Sequence, residues 1–357
     1  MKLPFFSKTN KLSADERLAV VEGLSIMLAA GVPILEALDS LVEDVVNKGT
    51  KEIIKGLSNE ISGGKSLAEA MAAYPLSFNS VLINIVKSGE ESGKLEQVLE
   101  QLAANIKSDI ETNNNIKSAL FYPVLVMIVL VGVSFYMFTF ALPRIAKVFT
   151  DLAINLPAYS AFVLKSSLFM EKYYLYVLAV LFVLLVISIR LLAIDRVRQT
   201  VFSILAKVPT IRSLIRFMDL SRFTNTTALL LSSGIPIIRA LEISKEVVIS
   251  PKLRFDIGSM TDLLAQGENL SEAMKKSPNS FPALLRRVVG VGEETGSLDK
   301  SLMNISGHYE KKFTDIVKNL TVLLEPLLLV VIGVVVGIVL FSIIAPIYQL
   351  IGQISPQ

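Results

Sequence analysis

Two pairs of adjacent glutamates are the side chains whose type and spacing could do chemistry in this sequence. Glu90 and Glu91 stand in a Gly-Glu-Glu-Ser-Gly block, and Glu293 and Glu294 stand in a Gly-Glu-Glu-Thr-Gly block. Paired carboxylates can exchange protons with a substrate or bind a divalent cation. Neither pair has a histidine, a second acidic cluster or a nucleophile at motif spacing, so a turn or a partner contact explains both blocks better than catalysis. A weak cation site stays the alternative.

The composition removes most other classes of reaction. The chain of 357 residues has no cysteine and one histidine, His308, which excludes thiolate nucleophiles, disulfides and metal sites built from Cys or paired His. The segment Gly63-Gly64-Lys65-Ser66 resembles the end of a phosphate-binding loop, but Asn59 stands where that pattern needs its first glycine. We therefore expect no catalytic, metal-binding or cofactor-binding residues, and a protein that is not an enzyme.

Three sequence blocks occur twice, always 203 residues apart. Each block begins with a glycine, and the paired first residues are Gly31 and Gly234, Gly64 and Gly267, and Gly89 and Gly292. Prolines repeat at the same distance, and Pro123 pairs with Pro326 in this way. The sequence thus contains one unit of about 130 residues, a polar domain followed by an apolar stretch, that has been duplicated without gaps.

Three stretches are almost free of charge, at residues 120–142, 173–194 and 323–346, in a chain that is 52% hydrophobic and 19% charged. About 20 apolar residues cross a bilayer as a helix, and each stretch reaches that length. The sequence therefore predicts a membrane protein with three transmembrane helices. The middle stretch lies outside the duplicated unit, so it adds one crossing between the two copies.

That added crossing returns the second polar domain to the side of the first. We count nine Lys and Arg near the span ends on the side of the domains and four on the other side. The positive-inside rule then places the domains, residues 1–119 and 195–322, in the cytoplasm. Residues 143–172 and the tail at 347–357 are expected outside.

Each polar domain is predicted to be an antiparallel helical bundle, because capping signals are frequent and strand alternation is absent. Ser13 with Glu16 and Ser66 with Glu69 match the capping box, as does Asn269 with Glu272 in the second copy. Glycine ends one helix and proline starts the next at two repeated turns. The residues expected at turns are Gly31, Pro33, Gly234, Pro236, Gly93 and Gly296.

Charge is unevenly distributed along the chain. Residues 1–119 hold 12 Lys and Arg against 16 Asp and Glu, a net charge of −4, whereas residues 190–325 hold 19 against 14, a net charge of +5. The total of +3 does not indicate nucleic-acid binding. A basic stretch beside the second span favours contact with anionic lipid headgroups, with a protein partner as the alternative. This basic stretch comprises Arg190, Arg196, Arg198, Arg212 and Arg216.

Three residues mark the predicted membrane edges: Pro123, Glu325 and Pro326. A carboxylate there costs little if it reaches the interface. The first-copy equivalent of Glu325 is Tyr122, so only the second copy has an acidic side chain at this edge. Interfacial anchoring and a functional role both remain open for Glu325.

The doubled blocks, each followed by a proline-led apolar stretch, resemble the type II secretion system F family. That family includes the PilC/GspF-type platform proteins of type IV pili and type II secretion. The resemblance implies a platform in the inner membrane that contacts a hexameric cytoplasmic ATPase, pilin or pseudopilin subunits and other inner-membrane assembly proteins. A position at the base of a fibre also suggests a symmetric homo-oligomer.

A transporter or channel built from a duplicated unit is the main competing hypothesis. Three spans are few for a transporter, and the spans carry almost no charge apart from Arg190, whereas transport pathways usually need buried polar groups. A membrane-bound enzyme or receptor would need a catalytic cluster or a large external domain. The sequence leaves open whether the fibre is a pilus, a secretion filament or a DNA-uptake filament.

Overall fold

A computed structural model describes residues 11–151, 157–192 and 208–354 of the chain. These residues form helices and connecting turns, with no strand among them, and three helices are long and apolar enough to cross a membrane. The all-α membrane fold predicted from the sequence is confirmed. The chain divides into two compact units, of which the first contains Met1–Asn115 and Arg212–Asp315 and the second Ile116–Ile211 and Ile316–Gln357.

In the described residues, the first copy of the repeat supplies seven helices, of which α6 continues through a π-helical turn, Met137–Ala141, into α7. Their bounds are α1 Ala14–Ala29, α2 Ile34–Asp44, α3 Lys48–Ser62, α4 Leu67–Ala72, α5 Ser80–Glu91, α6 Leu95–Tyr136 and α7 Leu142–Asp151. Helix α8, Ala158–Leu192, lies between the copies. The second copy consists of α9 Pro209–Ser232, α10 Ile237–Ser244, α11 Pro251–Ala265, α12 Leu270–Lys275, α13 Ala283–Thr295 and α14 Leu298–Ile354.

Two of the three predicted capping boxes are confirmed. The Ser13 hydroxyl accepts the Glu16 amide at 3.2 Å while the Ser13 amide donates to Glu16 Oε2 at 2.8 Å, and α4 begins in the same way. The third box is wrong. The Asn269 side chain makes no bond at the start of α12. The Glu272 carboxylate pairs with Lys275 instead of reaching back to the cap.

The first repeated block folds as the same helix–turn–helix corner in both copies. Gly31 and Gly234 end their helices with φ of +80° and +84°, a left-handed conformation that side chains disfavour. In each corner two backbone amides bond back to the last helical turn at 2.9–3.0 Å, which satisfies carbonyls that the helix leaves free. Pro33 and Pro236 then precede the first residues of α2 and α10.

Both copies contribute to the first unit, but not symmetrically. The core of the first copy includes Leu24, Ile54 and Phe78, all fully buried. That core also takes in five apolar residues of the second copy: Leu229, Leu230, Ile235, Ala240 and Ile243. Among the described residues, the second copy's own core draws only on that copy, from Phe217 onwards.

The membrane helices do not begin where the apolar stretches begin. Helix α6 starts at Leu95 and α14 at Leu298, so Pro123 and Pro326 lie within continuous helices rather than in the first turns of separate spans. A proline inside a helix has no N–H and leaves one backbone carbonyl without its helical hydrogen bond. Membrane spans tolerate such prolines because neighbouring groups can satisfy that carbonyl. Helix α8 has non-helical dihedrals at Tyr173, where the predicted span was expected to begin.

In the second unit, α7, α8 and α14 share a small apolar core. Leu142, Ala146 and Phe149 of α7 pack with residues of α8 and with Val339 of α14. Most other apolar side chains along the three long helices are exposed, which suits a lipid environment.

Acid should destabilise the protein through Glu16. Hydrogen bonds from the Thr50 hydroxyl and the Ser13 amide lower the pKa of Glu16 from 4.5 to about 2. Because the folded pKa is below the unfolded one, this stabilisation is present above pH 4.5 and is lost as the pH falls towards 2. We expect Glu16→Gln to flatten the pH dependence of the unfolding midpoint in that window, measured by circular dichroism on the protein in detergent. Glu22→Gln, at an exposed position of the same helix, is the control and should leave the slope unchanged.

Candidate functional site

Glu90, the first acid of the first pair, caps a helix of its own domain. It lies in the last turn of α5, and its two carboxylate oxygens accept the backbone amides of Leu67 at 2.6 Å and Ala68 at 3.0 Å. These amides open α4 and have no partner within their helix. A carboxylate at a helix N-terminus also interacts favourably with the helix dipole. The third sequence block therefore holds the second block in place.

Glu293 repeats this arrangement in the second copy. Its oxygens accept the amides of Leu270 at 2.5 Å and Ser271 at 2.8 Å, at the start of α12. Each acid therefore lies against the helix that precedes its own, because α5 and α13 run back past the starts of α4 and α12.

The glycines of the same block serve close packing and a turn. A Cβ on Gly89 would lie 3.0 Å from Val98, and one on Gly292 would lie 2.8 Å from the Ser301 hydroxyl, so α5 and α13 approach the next helix closely. Gly93 and Gly296 have φ of +69° and +65° and form the turns into α6 and α14. Both roles depend on the missing side chain.

The second acid of each pair is exposed. Glu91 lies 3.8 Å from Lys87 in a solvent-exposed pair, which contributes little to stability. Glu294 is exposed as well. No group of three or more His, Cys, Asp or Glu side chains in the described part of the chain could hold a metal ion. The two acids of a pair thus have different surroundings, one internal and one available to a partner.

Three of the five arginines of the basic stretch lie among the described residues. Arg212 and Arg216 are exposed and lie one turn apart on α9, and Arg190 is exposed on α8. Arg196 and Arg198 fall outside the described residues. At the predicted membrane edges, Glu325 and Pro326 are exposed on α14, whereas Pro123 is buried on α6.

Sequence reasoning missed one buried acid, Asp219 on α9. Its oxygens accept the amides of Ile249 and Ser250, both at 2.8 Å, just before α11 begins. Burial raises the pKa of Asp219, although these two amides and nearby Arg222 and Arg254 act in the opposite direction. The repeat offset was the available signal, because Asp219 is the second-copy equivalent of Glu16.

Removing the Glu293 carboxylate should weaken the second copy. Glu293→Ala leaves two helix-opening amides without an acceptor, and we expect the free energy of unfolding to fall by about 2 kcal/mol. Thermal unfolding followed by circular dichroism in detergent measures the change. Glu294→Ala is the matched control and should stay within about 0.5 kcal/mol of the parent, as exposed substitutions usually do. Equal losses in the two variants would contradict the cap.

Comparison with known proteins gives one consistent result. The family model for the type II secretion system protein F matches residues 21–143 and 223–346, one segment in each copy. A type IV pilus assembly protein PilC from Thermus thermophilus is 31% identical over 94% of this chain and 82% of its own length. A PilC from Pseudomonas aeruginosa is 28% identical over 92% and 87%, and a type II secretion system protein F from Aeromonas hydrophila is 27% identical over 96% and 88%.

Proposed function

This chain belongs to the type II secretion system protein F family, and from that premise we propose that it is the membrane platform on which a type IV pilus or a type II secretion filament is assembled. The observation that carries the proposal is the doubled unit. In each copy the same blocks build a helical domain whose last helix, α6 or α14, continues into an apolar span. A scaffold of this kind offers polar surface to one partner and apolar surface to another.

A role without catalysis fits the surroundings of the motif residues. The two acids that first suggested chemistry, Glu90 and Glu293, use both carboxylate oxygens on backbone amides. Their carboxylates are committed to the fold and are poorly placed to exchange protons with a substrate. The repeated blocks are better explained as a set of helix caps and turns.

We further propose that both helical domains face the cytoplasm and meet an assembly ATPase there. The excess of Lys and Arg on the domain side of the spans supports this orientation. Reporter tags at the equivalent exposed positions Asn59 and Asp262 test it, since both should label from the cytoplasmic side. Labelling of the two positions from different sides of the membrane would overturn the orientation.

The exposed acids Glu91 and Glu294 are the best candidates for the ATPase contact. Their neighbours Glu90 and Glu293 are occupied inside each domain, so a charge change there would disturb folding as well as binding. Arg212 and Arg216 offer a second exposed surface of opposite charge. Movement of the ATPase would then reach the pilin subunits in the membrane along the continuous helices α6 and α14.

The decisive experiment is complementation of a strain that lacks this chain. The parent chain should restore filaments, counted by electron microscopy, and an assembly ATPase should co-purify with it. The variant with both Glu91→Arg and Glu294→Arg should keep the parent's circular dichroism spectrum and unfolding midpoint but lose ATPase co-purification and filaments. Normal filament numbers in the deletion strain would reject the platform role. Normal co-purification by the double variant would reject only the contact surface.

A further inference from the structure

The two copies pack on each other through different surfaces. The corner formed by α9 and α10 of the second copy lies against α5 and the start of α6 of the first copy. Three hydrogen bonds mark this corner contact: Ser88 donates to the Ser233 carbonyl at 2.5 Å, Ser80 to Glu246 at 2.7 Å and Ser232 to Gln101 at 3.0 Å. Farther along α6, Ser108 and Thr112 also donate to Glu310 of α14, at 3.0 and 2.9 Å. We call these surfaces the second-copy corner (Leu229, Ser233 and Ile235) and the first-copy face (Val81, Ile85 and Ser88).

Each surface has an equivalent 203 residues away in the other copy. The first-copy corner consists of Ile26, Ala30 and Val32, and the second-copy face consists of Leu284, Val288 and Val291. Within the described part of one chain, the other copy covers neither of these equivalents. Leu229 is 3% exposed in the occupied corner, whereas its equivalent Ile26 is 64% exposed.

The second-copy face is uncovered in the same way. Leu284 is 46% and Val291 58% exposed, while Val81 in the occupied face is half-buried. Ile85 is fully buried in the occupied face, and its equivalent Val288 is half-buried. A two-fold arrangement of the copies would have buried both pairs of surfaces, so the contact of corner and face within the chain is head-to-tail.

We propose that the free second-copy face of one chain binds the free first-copy corner of a second copy of this chain, in the geometry that joins the two halves of one chain. The contact inside the chain is the template for the contact between chains. Both free surfaces are apolar at their centres. Each is the repeat equivalent of a surface that is already in contact with its partner inside the chain. This inference does not depend on the proposed function.

Charge at the rim of the two free surfaces is complementary. Inside the chain, Ser80 on the first-copy face contacts Glu246. The equivalent positions between chains are Ala283 and Glu43, and Arg287 lies one helical turn from Ala283. Arg287 and Glu43 are both exposed, so the proposed contact would bring a cation to an acid. Opposite charges at a rim favour the correct partner over others.

The acidic first copy of one chain (residues 14–119, 9 Lys and Arg against 16 Asp and Glu) would meet the nearly neutral second copy of the next (residues 217–322, 13 against 12), so net charge does not oppose the contact. A head-to-tail contact closes into a ring when the rotation allows it and otherwise continues as a filament. In a ring of two or more chains every face and every corner would be occupied, and none of these apolar residues would remain in water.

Cysteine cross-linking tests the contact, and the chain's lack of native cysteine makes the readout clean. The pair Ser88 and Ser233 touch within the chain, so their equivalents Val291 and Ala30 should touch between chains. Two differently tagged full-length chains, one with Ala30→Cys and one with Val291→Cys, are co-expressed and their membranes oxidised. We expect a band of twice the chain mass that carries both tags.

The controls separate this contact from others. Each single variant expressed alone should give no more than a trace of dimer, and Ser88→Cys with Ser233→Cys in one chain should close without changing the mass. A mixed band no stronger than those of the single variants, or a strong dimer of Val291→Cys with itself, would overturn the proposal. The cross-link is measured in membranes and does not require filament assembly. A failed cross-link would therefore reject this contact without contradicting the platform role.

A charge exchange provides a second readout. Adding Glu43→Arg to the Ala30→Cys chain should reduce the mixed cross-link severalfold, because it places two cations together. Adding Arg287→Glu to the Val291→Cys chain as well should restore it. Unchanged yields in both steps would contradict the proposed geometry, whereas restoration by the second substitution would support it.

Discussion

Phe281→Ala is expected to lower the free energy of unfolding by about 3–5 kcal/mol, the range found when a large buried ring is truncated. Phe281 is fully buried, and its ring centroid lies 6.1 Å from that of Phe223 in the core of the second copy. Removing the ring leaves a cavity and ends this aromatic contact. Because the chain has no tryptophan, far-ultraviolet circular dichroism during chemical unfolding in detergent is the suitable measurement.

Two variants make this first test specific. Phe281→Leu keeps most of the volume, so it should lose much less stability than the alanine variant. Phe78→Ala, the equivalent change in the first copy, should also be costly, although Val20 stands there where the second copy has Phe223. A loss below about 1 kcal/mol for Phe281→Ala would contradict the central place of this ring.

Asp219→Ala should be the second most damaging change, with a loss of about 3 kcal/mol. The substitution leaves the amides of Ile249 and Ser250 without their acceptor, and hydrogen bonds to a charged group are worth more than neutral ones. It also leaves Arg222 and Arg254 without their buried counter-charge. Chemical unfolding in detergent again measures the loss.

Asp219→Asn distinguishes lost acceptors from lost charge. The amide keeps one acceptor oxygen, so we expect a loss between those of the parent and of Asp219→Ala. Glu16→Ala, at the equivalent position in the first copy, should cost less because Glu16 is not fully buried. If Asp219→Ala proved as stable as the parent, the buried acid would have no capping role.

Features set by neighbouring residues could be predicted from the sequence. The duplication, the helical class and the three apolar spans all follow from composition and spacing along the chain. The capping boxes at Ser13 and Ser66 are equally local, since the two partners stand three residues apart. The error at Asn269 is local too, because Glu272 had a second partner, Lys275, one turn away.

Contacts between distant residues could not be predicted in the same way. Glu90 and Glu91 are identical in type and adjacent in sequence, yet only Glu90 reaches the start of α4, 23 residues earlier. Nothing in the sequence distinguishes Ile26 from Leu229, which are equivalent apolar residues with opposite exposure. The packing of the helices decides which acid of a pair and which of the two corners is buried. The residue types and their spacing do not show this packing.

Because of the π-helical turn over Met137–Ala141, residues beyond it that are aligned between the two copies do not face the same way around their helices. An α-helix rotates 100° per residue, and a π turn with its wider bonding rotates less. The matching residues of α14 are α-helical, although the alignment of the copies has no gap there. The helix backbone beyond this turn is therefore rotated by roughly a quarter turn relative to the uninterrupted α-helical course of α14. Lipid-facing and protein-facing sides of the first span cannot be copied from the third by alignment alone.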